Sequence, residues 1–242
     1  MNIKETTMRK ALGTLSLVSI LTLTGACAST TNQSPRQAAS ACNGSLSKEQ
    51  MVHLDLVQNL IEEDQFYSAL AHLEGDAHNS PRALWLRAEA QRKTGLLGNA
   101  YDSYRDLSLT CMTAAGHSGM AKILATRGDL AIAHQHMLKA RRLAPTSADI
   151  RNDYGFILLA MKDFKAAQRE FMTALQLHPG HPVAIRNMVM SLILDGDSRT
   201  AMRMASNNNI DENEFNTLLE KANRFAEPAL AQKPAIKKDV NL

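Results

Sequence analysis

The 242-residue chain predicts an all-α fold: a solenoid of about five helix-pair repeats closed by a C-terminal capping helix. Three observations carry this. DLAIAHQHMLKARRLAP (129–145) and DFKAAQREFMTALQLHP (163–179) place the same kinds of residue at the same offsets, thirty-four positions apart. Ala133 aligns with Ala167, Met137 with Phe171, Ala140 with Ala174 and Pro145 with Pro179. An earlier segment keeps the same interval, GMAKILATRGD (119–129) aligning with DYGFILLAMKD (153–163) and then with NMVMSLILDGD (187–197). Finally, only 5% of the residues are aromatic while Ala, Leu and Met abound, a balance that favours helix.

Taken from the N-terminus, Lys4, Arg9 and Lys10 precede an uncharged apolar run, ALGTLSLVSILTL (11–23), and small residues follow. That order reads as an export signal over residues 1–26. The apolar run is shorter than the roughly 20 residues a membrane-spanning helix needs. Leu23-Thr24-Gly25-Ala26-Cys27 resembles the lipobox of bacterial lipoproteins, with Thr24 where Leu is usual, and this makes Cys27 the residue to be acylated. The other reading is plain secretion, with Ala26-Cys27-Ala28 as an A-x-A cleavage site. The first reading anchors the protein at the outer membrane, facing the periplasm; the second leaves it soluble in the periplasm. Residues 27–46 are small and polar with no hydrophobic period, as expected of a flexible tether.

The repeats occupy 47–210. MVHLDLVQNLIEEDQFYSALAHL (51–73) keeps Ala69 and, beyond it, Pro81. LWLRAEAQRKTGLLGNAYDSY (84–104) keeps Ala88, Gly95, Ala100 and Tyr104. In each unit two helices meet through a tight turn. Gly128 and Gly196 fill that turn, where glycine adopts a positive φ at little cost, and Lys162 stands in the same slot of the middle copy. Small residues, Ala121 and Gly155, mark where the first helix approaches the second, and Met137 and Phe171 fill the space between units. IDENEFNTLLEKANRF (210–225) has the polar outer face of a cap, assigned to 211–226. Residues 227–242, with two prolines and three lysines, read as a disordered tail.

These positions resemble the tetratricopeptide repeat (TPR), which has a small eighth residue, Ala at twenty, a large apolar residue at twenty-four, Ala at twenty-seven and Pro at thirty-two. Residues 148–181 match best, through Gly155, Ala167, Phe171, Ala174 and Pro179. The resemblance implies a right-handed superhelical solenoid.

Catalytic chemistry is not signalled. GHSG (116–119) lacks the G-x-S-x-G spacing and strand-to-helix context of a nucleophile elbow. The two imidazoles of HQH (134–136) stand at i and i+2, on different helix faces. HPGH (178–181) falls between repeats without the further ligands zinc requires. No glycine loop cradles a phosphate. The chain is therefore read as a non-enzyme with no cofactor, metal or small-molecule substrate. Outside Lys4, Glu5, Arg9 and Lys10, 24 basic groups face 23 acidic ones, which gives no nucleic-acid footprint.

Function then belongs to a surface. In the repeat type resembled, first helices line a concave groove. Counting from the alignment places Trp85, Glu89, Arg92, Lys122 and Thr126 there, followed by Asn152, Phe156 and Leu159, then Arg186, Met190 and Ile193. The last six form the expected partner groove, Asn152 and Arg186 offering hydrogen bonds to an extended peptide. The signal with its terminal Cys, the short tether and five repeats resemble the TadD lipoproteins of tight-adherence (Flp-type) pilus systems, and are similar in plan to type IV pilus pilotins. The motifs carrying this are the Cys27 region and RNDYGFILLAMKDFKAAQREFMTALQLHPGHPVAIRNMVMSLIL (151–194). The resemblance implies a lipid-anchored helper of secretin localisation or pilus assembly, with a secretin or another assembly component as partner. An envelope adaptor that recruits cell-wall hydrolases or proteases would share every feature named. Cys42 and Cys111 remain in an oxidising compartment, where a bridge between them fits; the alternative is a buried Cys111 and a free Cys42.

Overall fold

The computed structural model describes residues 46–74 and 80–226. The expectations for the signal, Cys27, most of the tether including Cys42, and the tail lie outside them. Among the described residues there are eleven helices and no strand. Five hairpins follow one another: α1 (Lys48–Glu62) with α2 (Phe66–Glu74), α3 (Pro81–Lys93) with α4 (Leu97–Leu107), α5 (Thr113–Arg127) with α6 (Leu130–Leu143), α7 (Ala148–Ala160) with α8 (Phe164–Leu177), and α9 (Pro182–Leu194) with α10 (Ser198–Asn207). A last helix, α11 (Glu212–Ala226), packs on α9. Each second helix touches the first helix of the next unit, and successive first helices also touch one another, so α1, α3, α5, α7 and α9 form one wall of an all-α solenoid.

Local chemistry starts and stops these helices. Ser47 and Gln50 form a reciprocal capping box, with N–H···O distances of 3.2 and 2.7 Å. Ser80 caps α3 ahead of Pro81, whose missing N–H costs nothing at a first helical position. All five hairpin turns pass through one left-handed residue: Asp64, Gly95, Gly128, Lys162 and Gly196. For Lys162, at φ 64°, that conformation is strained. Lys162→Gly is expected to stabilise the protein by about 1 kcal/mol, read as a higher denaturant midpoint; an unchanged or lower midpoint would contradict it.

Between the helices the core repeats as the sequence does. Ala69, Ala100, Ala133, Ala167 and Ala201 are all fully buried, as are Leu73, Tyr104, Met137 and Phe171 four positions later. Small residues at the first-helix contact are a geometric necessity: a Cβ on Gly155 would lie 2.5 Å from the Phe171 ring, and one on Gly119 would lie 2.2 Å from the Tyr104 ring. Gly116 abuts the backbone of Ser108 in the same way, so the glycines of GHSG serve helix packing.

Candidate functional site: a concave groove

The first helices leave a cavity of about 420 Å³ on their shared wall. Its floor is apolar, made by Ala125, Phe156, Ile157, Ala160 and Val183, and α11 contributes Phe225. Phe156 is 41% exposed although its ring meets that of Phe225 edge-on, centroids 6.2 Å apart. Asn187 donates to the Asn152 side-chain oxygen at 2.9 Å, leaving the amides of two successive repeats at the rim.

At the other end a charged cluster ties three repeats together. The Glu89 carboxylate on α3 accepts from the Tyr104 hydroxyl (2.6 Å), from Arg92 (2.7 Å) and from Lys122 of α5 (3.2 Å). Lys122 then reaches Asp153 of α7 at 3.8 Å. Burial alone would raise the Glu89 carboxyl, but the charges of Lys122 and Arg92 and the Tyr104 hydrogen bond overrule it and hold it lowered to about 2. Asp153 is moved the other way: burial pushes its carboxyl up, the pull of Lys122 does not restore it, and Asp149 adds a like charge. Lys122 therefore lies nearer Glu89, at 3.2 Å, than Asp153, at 3.8 Å, and burial is the main reason the Asp153 carboxyl stays raised. The buried Arg92 Nε, beside the same cavity, has no hydrogen-bond partner among the described residues.

Of the expected groove residues, Asn152 and Phe156 line the cavity, together with Arg92, Lys122 and Thr126. The rest are corrected. Leu159 is fully buried, one turn on from Gly155 on the face turned toward α8. Met190 is buried in the cluster that includes Leu218 and Ala222 of α11, and Ile193 packs against that cluster, because the last helix covers this part of α9. Arg186 pairs with Glu214 of α11 rather than facing the cavity. Val183 and Asn187 take its place in the lining. Trp85 packs between two core clusters, and Glu89 anchors the polar end. Asp153, which counting along the helix did not select, lies beside the Asn152 that it did.

The histidines of the short motifs are held by protein groups. His134 Nε2 lies 2.9 Å from the Tyr154 hydroxyl, and His181 Nε2 lies 3.0 Å from Asp149 while its Nδ1 caps α9. His117 and His136 face each other, Nδ1 to Nδ1, at 3.0 Å. Burial first, then Lys139 and His136, lower the His117 imidazole from 6.5 to about 4; burial and Lys139 lower His136 too. The unfolded chain therefore binds protons at pH values where the folded pair does not. Stability is full above pH 6.5 and falls as pH drops toward about 4. Melting temperatures at pH 7 and pH 5 should differ more for the wild type than for His117→Gln; equal differences would remove this role.

Cys111 is disulfide-bonded. The two other cysteines of the chain, Cys27 and Cys42, lie outside the described residues, so the Cys42–Cys111 pairing stands as a proposal. Among the described residues no group of three His, Cys, Asp or Glu side chains could hold a metal ion.

No family model matches the sequence. The chain is 32% identical over 192 residues to a TPR repeat-containing protein of Pseudomonas aeruginosa, an alignment covering 78% of this chain and 76% of the relative. Among solved structures it is similar to a thermophilic TPR protein of Thermus thermophilus, with a TM-score of 0.61 at 18% identity over 72% of this chain and 97% of the other. MamA of Desulfovibrio magneticus, from residue 41 to its end, gives a TM-score of 0.51 at 14% identity over 74% and 98%. At these identities the two structures bear on the fold alone.

Proposed function

The chain belongs to the TPR repeat-containing proteins, and from that premise we propose that it is an envelope scaffold whose groove holds an extended segment of a protein partner during assembly of an Flp/Tad-type pilus or its secretin. Proteins built of this repeat are generally non-enzymatic scaffolds that bind other proteins. The observation that carries the reading is the cavity of about 420 Å³ on the first-helix wall, where exposed phenylalanine and valine stand beside amide and charged groups. Its volume lies within the roughly 300–1,000 Å³ typical of ligand-binding clefts. A side chain of the partner fills the apolar floor while its main chain meets Asn152, Asn187 and Arg92. Cys27, acylated, holds the scaffold at the outer membrane; the support for this is the sequence Leu23-Thr24-Gly25-Ala26-Cys27 at the end of an apolar run.

Phe156→Ala combined with Asn187→Ala is expected to weaken partner binding about thirtyfold and to abolish pilus assembly, with helical content unchanged. Arg169→Ala with Met172→Ala, exposed on the second-helix side, should leave both intact. Wild-type assembly in the groove variant would remove the reading. Cys27→Ser followed by envelope fractionation tests the anchor separately: a protein still sedimenting with the outer membrane would contradict lipidation.

A further inference from the structure

The groove holds one buried donor, the Arg92 Nε, without an acceptor among the described residues, and a carboxylate, Asp153, that shares its cation with Glu89; the chain leaves the described fold at the groove's edge. Phe225, whose ring lies against Phe156, is followed by the last described residue, Ala226. Beyond it comes EPALAQKPAIKKDVNL, residues 227–242. We propose that this C-terminal segment lies in the groove in cis, Ile236 against the apolar floor and Lys237 or Lys238 at Asp153, so that a partner must displace it. The inference rests on the reading of the groove as a peptide-binding surface, and it names that surface's resident competitor.

Charge and composition select this occupant. Asp153 shares Lys122 with Glu89, which holds it closer, at 3.2 Å against 3.8 Å, and Asp149 and Glu89 add like charge around the buried Asp153 carboxyl, so a further cation is favoured there. Arg92 Nε needs an acceptor, which a peptide carbonyl supplies. The segment joins adjacent lysines to an apolar residue, the pairing that the cavity's two ends require. Pro228 and Pro234 fix their own φ, which reduces the entropy lost when the segment is laid down. Extended, residues 227–242 reach about 50 Å, so a start at the cavity wall puts every groove residue named within range. A site tethered this closely meets its ligand at a millimolar effective concentration, and an intrinsic affinity of about 100 μM is enough to keep it mostly filled.

The test uses a fluorescent synthetic peptide of residues 227–242, titrated into the intact chain and into the same chain with 228–242 exchanged for a Gly/Ser sequence of equal length. The exchanged chain should bind the peptide saturably, and the intact chain about tenfold more weakly. Phe156→Ala or Asp153→Asn in the exchanged chain should each weaken binding by about fivefold or more. A peptide carrying Lys237→Glu and Lys238→Glu should be weakened as much, a comparison that does not depend on how any protein variant folds. Equal affinity for the intact and exchanged chains overturns the proposal, as does binding indifferent to these substitutions. Partner capture by an exchanged chain that ignores the peptide overturns the tail's role and leaves the peptide-binding groove standing; loss of both removes the groove.

Discussion

Phe171→Ala is expected to lower the unfolding free energy by about 3–5 kcal/mol. The ring is fully buried between α7 and α8, and the close approach of these helices exists because residue 155 is glycine. Removing the ring leaves a void whose walls belong to the two helices of one hairpin and cannot close without shifting one against the other. Gly155→Ala attacks the same contact from the opposite side, its new Cβ meeting the ring 2.5 Å away, and is expected to cost about 1–3 kcal/mol. Because the two positions share one contact, the double variant should cost less than the sum of the singles. Denaturant midpoints supply the cycle, and hydrogen exchange shows whether α7 and α8 open together. Strict additivity would mean that the Gly155–Phe171 contact does not set the hairpin spacing.

Glu89→Ala should destabilise by about 3 kcal/mol, well beyond the effect of losing an exposed carboxylate. Three donors from α3, α4 and α5 converge on this carboxylate, and its removal leaves Arg92 and Lys122 crowded at the end of the groove with the Tyr104 hydroxyl unpaired. Glu89→Gln keeps an acceptor for Tyr104 and should lose less. The pH dependence has a definite sign. With the folded carboxyl at about 2 and an ordinary value of 4.5, its contribution is complete above pH 4.5 and disappears as pH falls toward 2. Asp153, raised by burial, works in the opposite sense: its contribution is present below pH 3.8 and is lost as pH rises through its folded value. Acid titrations of wild type and Glu89→Gln should converge as pH falls from 4.5 toward 2; a constant gap over that range would contradict the assignment.

The repeat was legible because its spacing is a packing rule. Ala at twenty and the large residue at twenty-four recur where two helices and the next unit meet, and those positions are fully buried in repeat after repeat. The left-handed turn residue was legible for a similar reason, since Lys162 aligns with two glycines. The groove was legible only in part. One residue turns a helix by about 100°, so a stripe chosen by counting lands on the wrong face after a small error. That is why Arg186 and Met190 were expected where Val183 and Asn187 stand. The burial of Met190 depends on where α11 lands, which the repeat period does not encode. Asp153 belongs to a cluster spanning three repeats; its signal is the ladder Glu89, Lys122, Asp153, one charged residue per successive first helix at nearly the repeat interval.

The central claim, that the groove holds a segment of a protein partner, is tested most directly by site-specific photocross-linking in intact cells. A benzophenone side chain at Val183, on the cavity wall, is compared with one at Arg169, exposed on a second helix. The account predicts one discrete adduct from position 183, mapping by peptide sequencing to a single segment of one exported assembly component. It predicts that Phe156→Ala suppresses this adduct and that position 169 yields none. Adducts from 169 with none from 183, or adducts from 183 scattered over many unrelated proteins, would contradict it.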